Sequence, residues 1–222
     1  VAALRGYAVF SIDAVYHGER SAPGKQLYSP DLEDSRRGIV QTIIDLRRGV
    51  DLLESLSFID GERIGYAGGS MGGILGAIFI GVEPRIRAAV LVVGGGNMEL
   101  MIRESEHPAV KAMREAFVRR GISWEEVRMY LEPVEPLNFI WRFSPRPLQL
   151  HCGKYDKVVP AEAQGQLAEK AGEPKEVYWY EAGHDVPLEK VIERGLEFFD
   201  RHLKSTPAQQ TPSGAGSKTR AP

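Results

Sequence analysis

The chain has one cysteine, so it can hold no internal disulfide framework. That fits a reducing compartment. No apolar run approaches the roughly 20 residues that a membrane-spanning helix needs. Charge of neither sign dominates: the formal net charge is -2 over 222 residues, which argues against nucleic acid or an anionic membrane as the main partner. No group of Cys, His, Asp and Glu has metal-ligand spacing, and no cofactor is implied. No internal repeat is present. No secretory signal is visible, and residue 1 is Val rather than Met, so a cytoplasmic location is only the default expectation.

What is present is an ordinary soluble balance, 43% hydrophobic and 26% charged, on a chain long enough for one domain with a sizeable core. Val1 to Gly6 reads as a helix end capped by Gly6. Tyr7 to Ile12 is β-rich and is expected to form a strand ending at Asp13. A polar loop follows to about Pro30. Ile39, Ile43, Leu46, Val50 and Leu53 then recur at helical spacing between Asp34 and Leu56. Further strands are expected at Arg63–Ala67, Arg87–Val93, Leu148–His151 and Val177–Tyr180. Helices are expected from Met71 to about Val82, from Ala161 to Ala171 and from about Leu188 to Leu203. Between Gly94 and Pro145 the pattern is helical and irregular, with Ser123 and Glu126 forming a capping-box signature.

Strands alternating with helices predict an α/β fold with a parallel sheet covered on both faces. Residues 1–203 form the expected domain, with about 94–145 inserted as a helical cap. Residues 204–222 lack apolar periodicity and are expected to be disordered. Ligands of such sheets sit at the carboxyl ends of the strands, so chemistry is sought just after each one.

Gly68-Gly69-Ser70-Met71-Gly72-Gly73 lies between an expected strand and an expected helix. It contains G-x-S-x-G in the context that motif requires. The turn is so sharp that the residues two places from the serine must lack side chains. The hydroxyl then stands at the head of the helix, where the dipole favours negative charge. The Met71 N–H would point at the oxyanion of a tetrahedral intermediate. A phosphate-binding loop is the competing reading, but it would end in Gly-Lys-Ser/Thr, which is absent. Such a serine needs a base, and the base an orienting acid. His184 and Asp156 each follow an expected strand, in the chain order Ser, Asp, His.

Several residues have a plainer reading. His17 could line the pocket but stands in a polar loop. Cys152 reads as buried packing, with no basic partner to activate a thiol. Asp185 competes with Asp156 as the acid, but adjacent side chains rarely bond in the needed geometry. His107 reads as exposed, and Trp124, Met129 and Trp141 as core or lid packing. Arg36, Arg37, Arg47 and Arg48 read as a solvated helix face.

The segments Arg5-Gly6-Tyr7-Ala8-Val9 with Asp13 and His17-Gly18, Asp60 to Gly65 leading into the serine turn, Pro145-Arg146-Pro147-Leu148 leading to Gly153 and Asp156, and Ala182-Gly183-His184 resemble the α/β-hydrolase superfamily. Within it they are most like the dienelactone-hydrolase, acetyl-esterase and prolyl-oligopeptidase-like branch. The resemblance spans roughly residues 1 to 203. It implies a triad of Ser70, Asp156 and His184, one oxyanion-hole amide at Met71, and a serine hydrolase of the carboxylesterase kind acting on a small-molecule ester. A homo-oligomer is compatible with it. It leaves open a prolyl-oligopeptidase-like peptidase and a catalytically inactive hydrolase-fold fragment.

The resemblance also implies three strands ahead of Tyr7, the third lying between the Tyr7 strand and the Ile64 strand and followed by a loop with a second oxyanion amide. Neither is found in the chain, so the expectation is an N-terminally incomplete sheet with a gap inside it. Loss of one oxyanion donor typically costs about 10²–10³ in rate, which puts the activity of the chain as written in doubt. The apolar residues of the cap, including Met98, Leu100, Met101, Met113 and Phe117, are expected to shape a pocket for an apolar acyl or alcohol group.

Overall fold

A computed structural model describes residues 1–204. They form one parallel sheet in the order β1-β2-β3-β4, with β1 at Ile64–Gly69, β2 at Ile86–Val92, β3 at Leu148–Gly153 and β4 at Lys175–Tyr180. Helix α1 spans Leu32–Ser55 and α2 Met71–Val82. Between β2 and β3 lie α3 (Met98–Glu104), α4 (Pro108–Arg120) and α5 (Trp124–Leu131). Helix α6 spans Ala161–Lys170 and α7 Leu188–Leu203. The expected tail lies outside the described residues from 205 onward.

Local chemistry sets the helix ends. Asp31 caps α1 by accepting from the amides of Glu33 and Asp34, each at 3.1 Å. Ser123 and Glu126 form the expected capping box at the head of α5. Gly121 ends α4 at φ 67°, a conformation that costs glycine least.

The strands are sorted by the alternation of their side chains. On β2, Ala89 and Leu91 join the large core with α2 and α6, whereas Ala88 and Val90 face Phe198 and Leu203 of α7. Helix α7 therefore covers one face of the sheet and α1, α2 and α6 the other. On β3, Leu148, Leu150 and Cys152 face the large core.

The opposite face of β3 is polar and still buried. Arg194 of α7 donates to the Tyr180 hydroxyl at 3.1 Å, which directs that hydroxyl's own proton to His151 Nδ1 at 2.8 Å. His151 Nε2–H then donates to Gln149 Oε1 at 2.8 Å, and Gln149 Nε2 donates to Glu176 Oε2 at 2.9 Å. Every polar atom in this chain has a partner, as burial demands. The His151 ring also stacks with those of Tyr178 and Tyr180.

The structure corrects two expectations. Tyr7–Ile12 is not a strand: it pairs with no neighbour among the described residues. A strand is defined by its ladder, and the groove between this segment and the outer edge of β1, about 1070 Å³, contains no backbone to supply one. The segment is held by other means. Tyr7 donates to Asp200 of α7 at 2.7 Å, and the Phe10 ring lies against Gly49 of α1. Met129 and Trp141 stay outside the core, at 60% and 51% exposure. Arg47 lies on the solvated face as expected, and from there it reaches the buried carboxylate of Glu83.

Burial first, and then the Arg194 charge, push the His151 imidazole from the ordinary 6.5 down to about 4. Between those values the unfolded chain takes up the proton and the folded chain does not. Stability is therefore full above about pH 6.5 and falls as pH drops toward 4. Urea unfolding should give a lower midpoint at pH 5 than at pH 7. His151→Asn should lower stability at both pH values and flatten that slope; an unchanged slope would mean other groups carry it.

Candidate active site

β1 ends at Gly69 and α2 begins at Met71, so one residue makes the turn. Ser70 adopts φ 52° and ψ -116°, a backbone strain on the order of 1–3 kcal/mol for a residue with a side chain. Its amide still donates to Val92 O at 2.8 Å, and its carbonyl accepts from Gly73 N and Ile74 N. A Cβ at Gly68 would stand 2.3 Å from Gly72 O, and one at Gly73 would stand 2.8 Å from the Gly94 Cα. Both neighbours are backbone, so neither can yield by rotating a side chain. The Tyr66 hydroxyl donates to Gly72 O at 2.7 Å and locks the turn from below. Its ring occupies the space that a side chain at Gly76 would need.

β3 delivers Asp156 and β4 delivers His184. The Asp156 side chain is fully buried, and its carboxylate has all of its capacity used. Oδ1 accepts from the amides of Val158 and Val159 at 2.8 and 3.0 Å. Oδ2 accepts from Gln164 Nε2 at 2.8 Å and from His184 Nδ1 at 2.8 Å. A carboxylate only accepts, so Nδ1 carries the imidazole proton. His184 Nε2 is then the acceptor for the Ser70 hydroxyl at 2.9 Å. The hydrogen bond to Asp156 raises the His184 pKa, burial opposes it, and the charges of Asp156 and Asp185 add to the rise.

The structure thus brings Ser70, His184 and Asp156 into one hydrogen-bonded line and leaves Asp185 off it. Met71 is the first residue of α2, so its amide is among the four at a helix head that have no intrahelical acceptor. His17 stands on the wall of a cavity of about 420 Å³ that also contains Ser70. Its Nδ1–H donates to Val15 O at 3.0 Å, which leaves Nε2 as an acceptor. His107 reaches the same cavity. So do Met98, Met101 and Met113, whereas Leu100 and Phe117 pack elsewhere in the core. Cys152 is buried beside Asp156, and burial first pushes its thiol up to about 12, so it holds no thiolate. Among the described residues, no group of His, Cys, Asp and Glu could hold a metal ion, and no helix is long and apolar enough to cross a membrane.

Two supporting residues had no signal in the sequence. Gln164 of α6 fixes Asp156 and also accepts from Gly153 N at 3.1 Å, tying the acid to the strand end that carries it. Tyr66 reads as an ordinary strand aromatic. Only the glycines at 72 and 76, one helical turn apart, hint that something large lies against them.

A family model described as the prolyl oligopeptidase family matches residues 2–206. The chain is similar to YitV of Bacillus subtilis (strain 168), a protein with an inferred esterase assignment. The two are 26% identical over 215 residues, covering 90% of this chain and 80% of YitV. Among solved structures it is similar to the α/β hydrolase GrgF from Penicillium sp. sh18, at 20% identity and TM-score 0.56, covering 74% of this chain and 72% of GrgF. It is also similar to Acetyl Xylan Esterase 1 from Thermoanaerobacterium sp. JW/SL YS485, at 20% identity and TM-score 0.69, covering 79% of this chain and 56% of that one. At such identities the two structures speak to the fold, which is that of an α/β-hydrolase.

Gly68→Ala should destabilise the fold by about 1–3 kcal/mol, because its methyl group meets the Gly72 carbonyl. Gly165→Ala, where an added Cβ meets only the edge of Trp179 at 4.0 Å, should not destabilise it. Urea midpoints of the two variants test the contrast; equal midpoints would mean the turn has room.

Proposed function

The chain belongs to the prolyl oligopeptidase family, and on that premise we propose that it is a serine hydrolase cleaving carboxylic esters of small substrates through an acyl-enzyme on Ser70. The observation that carries this reading is the unbroken line from the Ser70 hydroxyl through His184 to Asp156, at 2.9 and 2.8 Å. Ser70 Oγ attacks the ester carbonyl and gives its proton to His184 Nε2. The carbonyl oxygen becomes an oxyanion facing the Met71 amide. Collapse breaks the bond to the alcohol oxygen, which takes the proton from His184. Water then enters and gives a proton to His184 Nε2 as its oxygen bonds to the acyl carbon; the bond to Ser70 Oγ breaks, Oγ takes that proton back from His184, and the acid leaves.

Asp156 takes no proton from His184 in this sequence. Its four hydrogen bonds hold it still, and it keeps the imidazole in the one tautomer that leaves Nε2 free to accept. His17, with Nε2 as its acceptor, is placed to receive a substrate hydrogen bond from the cavity wall. The family match also supports a peptidase reading of the same chemistry, because an amide is attacked in the same way. A charged peptide terminus would want a charged partner, and no Asp, Glu, Lys or Arg lines the cavity beside Ser70.

A fluorophosphonate probe should label the protein and fail to label Ser70→Ala. A folded wild-type chain that stays unlabelled would instead fit the inactive reading. Asp156→Asn should lower kcat by about 10⁴-fold and cost about 1–3 kcal/mol of stability, because its amide nitrogen meets donors whichever way it turns. The neutral imidazole is the active form, so kcat/KM should fall as pH drops through the His184 pKa. That midpoint should lie above the ordinary 6.5. A midpoint at or below 6.5 would show that Asp156 does not support His184 in solution.

A further inference from the structure

The cavity of about 420 Å³ beside Ser70 is a narrower instrument than an ester site in general. Its wall holds four of the chain's five methionines: Met71, Met98, Met101 and Met113. Ile74 of α2 and Leu131 of α5 add to the apolar surface. Met113 and Leu131 are almost wholly buried, at 3% and 2% exposure. No Asp, Glu, Lys or Arg lines its wall, so a charged peptide terminus would find no opposite charge there, and the polar side chains present, such as His17, Gln26 and Ser105, stand beside this apolar surface.

The position of the cavity decides which half of an ester it takes. The leaving alcohol oxygen must collect its proton from His184 Nε2, so the alcohol half lies on the His184 side. Ser70 and Met71 line the cavity, and His184 and Asp156 do not. What enters it is therefore the acyl half, with the carbonyl carbon at Ser70 and the chain running under α3 and α4.

Resting on the assignment of Ser70 as the nucleophile, we propose that this methionine-lined cavity is an acyl pocket for unbranched, medium-length fatty acyl chains, and that Met113 sets its depth. Methionine is unbranched, has three rotatable bonds and fills irregular gaps. Such a wall accommodates neighbouring chain lengths by repacking, so the preference is a broad rise and not a sharp optimum. Each methylene moved from water to the pocket is worth about a fourfold gain in kcat/KM while the pocket still has room.

The test is a series of p-nitrophenyl esters, acetate, butyrate, hexanoate and octanoate, turned over by the full chain. The expected result is a kcat/KM that climbs about fourfold per methylene before it levels off. Met113→Ala should move the plateau to longer acids and Met113→Phe to shorter ones, with circular dichroism showing that each variant folds. Binding is read separately from chemistry by the thermal shift of Ser70→Ala with methyl octanoate and with methyl acetate. A larger shift with the octanoate supports the pocket whether or not Ser70 reacts. A wild-type chain that takes the fluorophosphonate label but shows a flat or falling series, with equal shifts for the two methyl esters, would overturn the acyl pocket and leave the nucleophile standing. Absence of labelling together with a larger octanoate shift would overturn the nucleophile and leave an apolar-chain site.

Discussion

The one-residue turn at Ser70 is the constraint on which the rest of the site depends. The chain must reverse from strand to helix between Gly69 and Met71. It can do so only because backbone meets backbone at Gly68 against Gly72 and at Gly73 against Gly94. The strain at Ser70 is tolerated because both of its peptide groups are hydrogen-bonded, to Val92 on one side and to the first turn of α2 on the other. Tyr66 closes the arrangement from beneath. A hydroxyl lifted clear of its own helix in this way has one direction to point, toward the loop that follows β4.

The other half of the site is built on the opposite physical basis. Where Ser70 is held by the absence of side chains, Asp156 is held by a full set of donors. Two amides, one glutamine and one imidazole share its two oxygens. A buried carboxylate left without them would be driven toward its neutral form. The histidine tautomer and the direction of the serine proton thus follow in sequence from the same four bonds.

Much of this was legible in the chain itself. The G-x-S-x-G turn, the strand ends before Asp156 and His184, and the amphipathic helices follow from periodicity and from glycine placement, which are local properties. The misses are non-local. Tyr7–Ile12 has strand composition, but composition cannot supply a ladder partner. Gln164 lies eight residues beyond Asp156, and nothing in a helix pattern distinguishes it from any other polar position until the loop folds back over it. The polar chain through His151 was equally hidden, because an apolar-looking strand gives no hint that one face will bury a histidine between two tyrosines. Leu100 and Phe117 were misplaced for a related reason: sequence puts them in the same helical insertion as Met98 and Met113, but only the packing of α3 and α4 decides which side chains turn toward Ser70.

The order of the strands has a mechanical corollary. Among the described residues β3 is paired on both sides, whereas β1 and β4 each have one neighbour. Asp156 therefore descends from the interior of the sheet, and the serine and the histidine descend from its two margins. Interior strands open only with large-scale unfolding, while margins fray at lower free energy. Amide-exchange protection should accordingly be deepest under the acid and shallower under its two companions. Mild denaturant would then pull the nucleophile and the base away from a partner that has not yet moved, so that loss of alignment precedes loss of the fold.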